Sequence, residues 1–106
     1  MSDEMDGPAY RVDYSRVFPT IKYFAYLAKR LGFARELADS IKTIDQRLRT
    51  DPRRWGDPIR ELKGMNATFY RGWNNYLVVY YAVHVSEPIV IVQRVERNPL
   101  SPFFGT

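Results

Sequence analysis

The stretch Tyr76-Leu77-Val78-Val79-Tyr80-Tyr81-Ala82-Val83-His84-Val85 decides the fold. Its β-branched and aromatic residues favour a strand, and both of its alternating faces are apolar. A strand apolar on both faces belongs at the centre of a sheet, covered on one side by helices and on the other by aromatics or a partner. The run is far short of the ~20 residues needed to cross a bilayer. Before it, Asn74-Asn75 is a turn dipeptide able to adopt positive φ, and Ala67 to Trp73 reads as another strand. After it, Ser86-Glu87-Pro88 turns the chain and Ile89 to Val95 reads as a third. Such short connections make the three strands antiparallel neighbours.

Upstream the hydrophobic period changes. Ala34, Leu37, Ile41, Ile44 and Leu48 recur at spacings of three and four, which places them on one face of a helix. Phe18, Ile21, Phe24, Ala25, Ala28 and Leu31 do the same one helix earlier, with Ser15 as an expected N-cap, Pro19 in the first turn and Gly32 as the C-cap. Two such helices around one glycine form a hairpin. Ahead of them, Tyr10, Val12 and Tyr14 alternate with Arg11 and Asp13, the pattern of a half-buried strand expected to join the sheet at an edge. Thr50 to Gly64 breaks both periods. Asp51-Pro52 and Asp57-Pro58 are turn signals, and the segment is read as an irregular loop pinned by Trp55. The expected fold is therefore α+β: an N-terminal strand, a two-helix hairpin, then a three-stranded antiparallel sheet with the helices on one face. It forms one domain over residues 8–98, between a disordered acidic tail over 1–7 and an irregular tail over 99–106.

The chain has 106 residues and no cysteine, which excludes disulfide frameworks, cysteine-based zinc sites and thiol catalysis. Sixteen basic residues face twelve acids, and three of those acids (Asp3, Glu4 and Asp6) lie in the N-terminal tail, so the folded body is more basic than the whole. A basic body favours an anionic partner such as nucleic acid. Met1 to Gly7 has neither the basic nor the apolar segment of a signal peptide, so the expected location is cytoplasmic, with no membrane partner. His84 is the single histidine and reads as structural or exposed. Phosphate loops of the glycine-rich kind and serine-nucleophile motifs are absent, and no cofactor or metal is expected.

What remains is a positive constellation on and around the sheet. Lys63, Arg71, Arg94 and Arg97 could converge to bind a phosphodiester, depending on the strand register. Arg60, Tyr70 and Tyr80 are the accompanying candidates for nucleic-acid binding, the tyrosines by stacking on bases. The bland alternative is that the tyrosines pack and the arginines guard sheet edges.

The chain resembles the RelE/ParE superfamily of toxins from bacterial type II toxin–antitoxin systems. The resemblance spans about Tyr10 to Arg97. It rests on Tyr10-Arg11-Val12-Asp13-Tyr14, Leu48-Arg49-Thr50-Asp51-Pro52, Asp57-Pro58-Ile59-Arg60-Glu61-Leu62-Lys63-Gly64 and Phe69-Tyr70-Arg71. Beyond these it takes in Tyr76 to Val83 and Ile91-Val92-Gln93-Arg94-Val95-Glu96-Arg97. It implies a sheet with two helices on one face and a cognate antitoxin that wraps the protein. Members of the RelE type are mRNA interferases, endoribonucleases acting at the ribosome. Their basic residues match Lys63, Arg71 and Arg94 or Arg97 here, and in that case a 2′-hydroxyl attacks the adjacent phosphate. Members of the ParE type inhibit DNA gyrase without that set. Leu77 follows Tyr76 where an arginine is usual, Glu96 stands where a histidine is common, and Phe103-Phe104 occupy a tail that carries a tyrosine in some nucleases. Three readings follow: a growth-inhibiting toxin that cleaves mRNA, a non-catalytic toxin that binds a protein target, or a basic domain that binds nucleic acid without acting on it.

Overall fold

The structure, a computed structural model, describes residues 9–101. The acidic tail expected over 1–7 and the Phe103-Phe104 segment lie outside the described residues.

The chain runs β1 (Arg11–Asp13), α1 (Phe18–Leu31), α2 (Ala34–Thr50), α3 (Pro52–Trp55), β2 (Asp57–Leu62), a 3-10 turn (Lys63–Met65), β3 (Ala67–Trp73), β4 (Leu77–His84) and β5 (Ile89–Arg97). The strands form one sheet in the order β1-β5-β4-β3-β2. The α+β class and the β3-β4-β5 meander agree with the sequence reading, with β4 at the centre. The strand count and the sheet type differ: the described residues form five strands, and β1 pairs with β5 in parallel, Val12 opposite Val90. Through the meander β5 runs with β3 and against β4 and β2, so β1, parallel to β5, runs opposite to β2, the strand that the helices lead into.

The segment read as a loop over Thr50 to Gly64 holds α3 and β2 instead. Pro52 opens α3, where a missing N–H costs nothing, and Pro58 sits in an edge strand, where its lost donor breaks no ladder on the outer side. β2 pairs antiparallel with β3, and the register shifts between Pro58 and Arg60, leaving Ile59 as the extra residue of a bulge.

The helix hairpin forms as expected at its centre, with Gly32 in the left-handed conformation (φ 85°) donating its N–H to Ala28. Its ends need correction. Val17, not Ser15, is the N-cap of α1, and no side chain caps the helix. The backbone N–H of Ser15 instead donates to Asp13 Oδ1 at 2.8 Å. Val17, Phe24 and Ala28 are buried and Ile21 is partly buried, a stripe displaced from the expected one. Phe18, Ala25 and Leu31 are exposed. In α2, Leu37, Ile44 and Leu48 are buried as read, whereas Ala34 is exposed and Phe33 takes the buried place before it. The turn at Asn74-Asn75 uses no positive φ. The Asn74 side chain holds it, its Oδ1 accepting from the N–H of Tyr76 and Leu77.

Ile21, Ile41 and Ile44 face Leu77, Val79, Val92 and Val95, so both long helices cover one face of the sheet. At the other end of that face stands Tyr81, fully buried at 0 % exposure. Its hydroxyl accepts from the N–H of Gly56 at 2.9 Å and donates to the carbonyl of Pro52 at 2.5 Å. Its ring stacks between Trp55 (centroids 5.7 Å apart) and Tyr70 (5.4 Å). Burial holds the phenol well above its ordinary pKa, so it stays protonated and keeps its donor. The Trp55 ring lies directly on Gly72 of β3, where an added Cβ would come within 2.5 Å of it. Trp55 thus anchors the α3–β2 segment, as the sequence suggested.

Two outcomes follow from this packing. Gly72→Ala forces the indole of Trp55 off the sheet and lowers unfolding stability by about 1–3 kcal/mol in urea titrations. Tyr81→Phe strands the Gly56 N–H and the Pro52 carbonyl and costs about 1–3 kcal/mol in the same measurement.

Candidate nucleic-acid interface

Residues directly opposite on neighbouring strands point to the same side of a sheet. Tyr70, Leu77, Val79, Tyr81, Val83, Val90, Val92 and Val95 belong to the core under the helices. The alternate positions therefore face away from α1 and α2, and register orders them into rows. Arg71 lies opposite Tyr80, which lies opposite Arg94. The next row is Arg60, Phe69, Ala82 and Ile91, and on the other side Trp73, Val78 and Glu96. Among the described residues, three arginines thus alternate with three aromatic rings on the face without helices.

A bulge makes this arrangement possible in β5. The register shifts between Tyr80 and Tyr81, so Tyr80 meets Arg94 while Tyr81 meets Val92, and Gln93 is the extra residue. Val92 and Val95 can then both face the core although they are three apart. Arg16 donates from Nη1 to Gln93 Oε1 at 2.8 Å, which ties the bulge to the turn after β1.

The side chains on this face are knitted together. The Arg94 guanidinium lies over the Tyr80 ring, 4.4 Å from its centroid, and Phe69 stacks against Tyr80 at 6.2 Å and 21°. Arg71 lies over the Trp73 ring at 5.4 Å. Cation–π contact fixes a guanidinium without neutralising it. Arg94 Nε also reaches Glu96 Oε2 at 3.0 Å, but both side chains are exposed (61 % and 48 %), and such a surface pair contributes only about 0.2–1 kcal/mol. Among the described residues neither Arg60 nor Arg71 makes an ion pair. The face therefore presents positive charge that an anion can reach.

The register brings Arg71, Arg94, Arg60 and Tyr80 together and separates the other candidates. Lys63 follows Leu62, which pairs with Ala67, four residues along β3 from Arg71 and so roughly 13 Å away. Arg97 lies opposite Leu77, at an alternate position that faces the helix side. Tyr70 is not available to a base: it is 7 % exposed, on the core face, stacked on Tyr81. His84 is the last residue of β4, at the start of the turn that follows. Its Nδ1 accepts from the N–H of Ser86 at 3.2 Å and of Glu87 at 3.0 Å, at the Ala67 end of the sheet.

Phe69 and Trp73 were not among the candidates. Their signal was legible in the alternation of Phe69, Arg71 and Trp73 along one strand, with Gly72 on the opposite face.

No protein-family model matches the chain, and neither the curated proteins nor the solved structures contain a match to it.

The two charged neighbours on β5 give a direct check on the electrostatics. Glu96→Gln leaves Arg94 without its carboxylate and moves elution from a phosphocellulose column to higher salt, whereas Arg94→Ala moves it lower. Elution of both variants with the unsubstituted protein would show that anions bind elsewhere.

Proposed function

We propose that this chain is a toxin of the RelE/ParE type that acts in the cytoplasm by binding single-stranded RNA on its helix-free sheet face, with a cognate antitoxin as its neutralising partner. The observation that carries this reading is the cross-strand row Arg71–Tyr80–Arg94, two guanidiniums on either side of an aromatic ring. Arginine forks suit phosphate oxygens, and aromatic rings exposed on the same face suit bases, which is how sequence-tolerant single-strand surfaces are built. The order strand, two helices, meander, with both helices on one side, agrees with the resemblance seen in the sequence.

Cleavage is the less supported half of the family's chemistry. Attack of a 2′-hydroxyl on the adjacent phosphate needs one group to take the hydroxyl proton and another to protonate the leaving oxygen. Arg71 and Arg94 supply charge stabilisation but no proton transfer near neutral pH. Lys63 is about four strand residues away, the Nδ1 of His84 is engaged by its own turn, and Glu96 is held by Arg94. The reading favoured here is binding without a complete general acid–base pair. That same shortage favours, as the second reading, a toxin that inhibits a protein target of the gyrase kind.

Two measurements separate these. Fluorescence anisotropy with a labelled oligouridylate should give an affinity that falls with salt, with a slope of about −0.7 per neutralised phosphate and so roughly −2 for Arg60, Arg71 and Arg94 together. The double variant Arg71→Ala/Arg94→Ala should lose most of that slope. Expression without the antitoxin should arrest bacterial growth, and the double variant should relieve the arrest. Arrest that persists in the double variant points to the protein-target reading, and cleavage of ribosome-bound mRNA by the unsubstituted protein would restore the nuclease.

A further inference from the structure

We propose that Trp73 is the base-stacking platform of this face and that it takes an unstacked nucleobase of a single strand whose phosphate Arg71 holds. This rests on the RNA-binding reading above and names the subsite that would confer preference for single strands.

Among the described residues three rings lie on the helix-free face, and they are not equivalent. Tyr80 is flanked by Phe69 at 6.2 Å and by the Arg94 guanidinium at 4.4 Å, and it is half-buried. Phe69 is half-buried against it. Both rings already have neighbours and serve to hold Arg94 in place. Trp73 differs. It is 57 % exposed, and its one ring contact among the described residues is the Arg71 guanidinium at 5.4 Å. The other tryptophan, Trp55, is packed against Gly72 and Tyr81.

Exposing an indole to water is unfavourable, since burial of a large apolar side chain is worth about 1.5–3 kcal/mol. Trp73 is kept in the open at the end of β3, next to a guanidinium that makes no ion pair among the described residues, although Asp57 lies opposite Arg71 in the ladder. A nucleotide satisfies both groups at once: its base covers the indole and its phosphate meets the arginine. An acidic protein segment would satisfy Arg71 alone and leave the ring uncovered unless it also carried an aromatic. A base within a duplex is already stacked and paired, so an isolated platform selects single strands. The stacking candidates drawn from the sequence, Tyr70 and Tyr80, give way to Trp73 because one lies in the core and the other is sandwiched.

The experiment uses the full chain and intrinsic tryptophan fluorescence during titration with an oligouridylate at low salt, alongside anisotropy on the labelled strand. The unsubstituted protein should be quenched on binding, and Trp73→Phe should lose that quenching. Trp73→Ala should weaken binding roughly 5- to 150-fold, the loss expected for one base stack, with the salt slope unchanged because no phosphate contact is removed. Trp73→Phe should retain most of the affinity, since a phenyl ring still stacks. A blunt RNA duplex of equal length should bind more weakly than the single strand and quench little. Binding by the unsubstituted protein with no quenching, or equal affinity for Trp73→Ala, overturns the platform and leaves the RNA-binding reading standing. Absence of any salt-dependent oligonucleotide binding by the unsubstituted protein overturns that reading and the platform with it.

Discussion

Tyr81 carries a constraint that reaches both faces of the sheet. Its ring fills the core end beneath the helices, between Trp55 and Tyr70, while its hydroxyl closes a bridge from Gly56 to Pro52. A buried phenol without partners would be costly, and a buried Gly56 N–H without an acceptor would be too. Each satisfies the other. The approach is so close that neither Gly56 nor Gly72 has room for a side chain: an added Cβ at Gly56 would lie 2.5 Å from the Tyr81 hydroxyl. Small residues here are demanded by neighbours rather than by backbone angles, since neither glycine has positive φ.

That bridge determines what the far face displays. It seats α3 under the sheet and delivers the chain to β2, which completes the pairing of Asp57 with Arg71. β3 is thereby clamped on one side by β2 and on the other by β4. With Tyr81 pointing into the core, alternation places Tyr80 outward, and the bulge at Gln93 brings Arg94 opposite it. The guanidiniums are thus held by a rigid scaffold instead of a loop, and cation–π contacts limit how far their ends can swing. A surface prepared in this way loses less side-chain freedom when it binds an anion.

The sequence was legible where one periodicity ran uninterrupted. Leu37, Ile44 and Leu48 announced α2, and the doubly apolar run through Tyr81 announced the central strand. It was less legible where local signals competed with distant partners. Asp57-Pro58 carries a turn signature, yet β3 recruits it as an edge strand because Tyr70 and Arg71 offer a ladder that the local chain cannot foresee. Ser15 has a capping side chain, but Val17 is needed in the core and sets the helix start. At the candidate site, Arg71 and Arg94 were recognisable as charges on strands. Their meeting across Tyr80 was not, because a one-residue bulge at Gln93 decides which face Arg94 occupies. The wide separation of Lys63 follows from the same kind of information: pairing of Leu62 with Ala67 is a register fact, invisible in residue spacing.

The parallel pairing of β1 with β5 has a bearing on how the molecule comes into being. Arg11 to Asp13 pair with Ile89 to Ile91, far along the chain and beyond both helices and the rest of the sheet. The backbone groups of that short strand find no ladder until β5 is in place. Closing so long a loop is entropically slow, and contacts of this separation tend to be late in folding. The hairpin of α1 and α2 and the meander of β3 to β5 are local and can form early. Docking of β1 then acts as a late latch that joins the two locally formed halves of the domain.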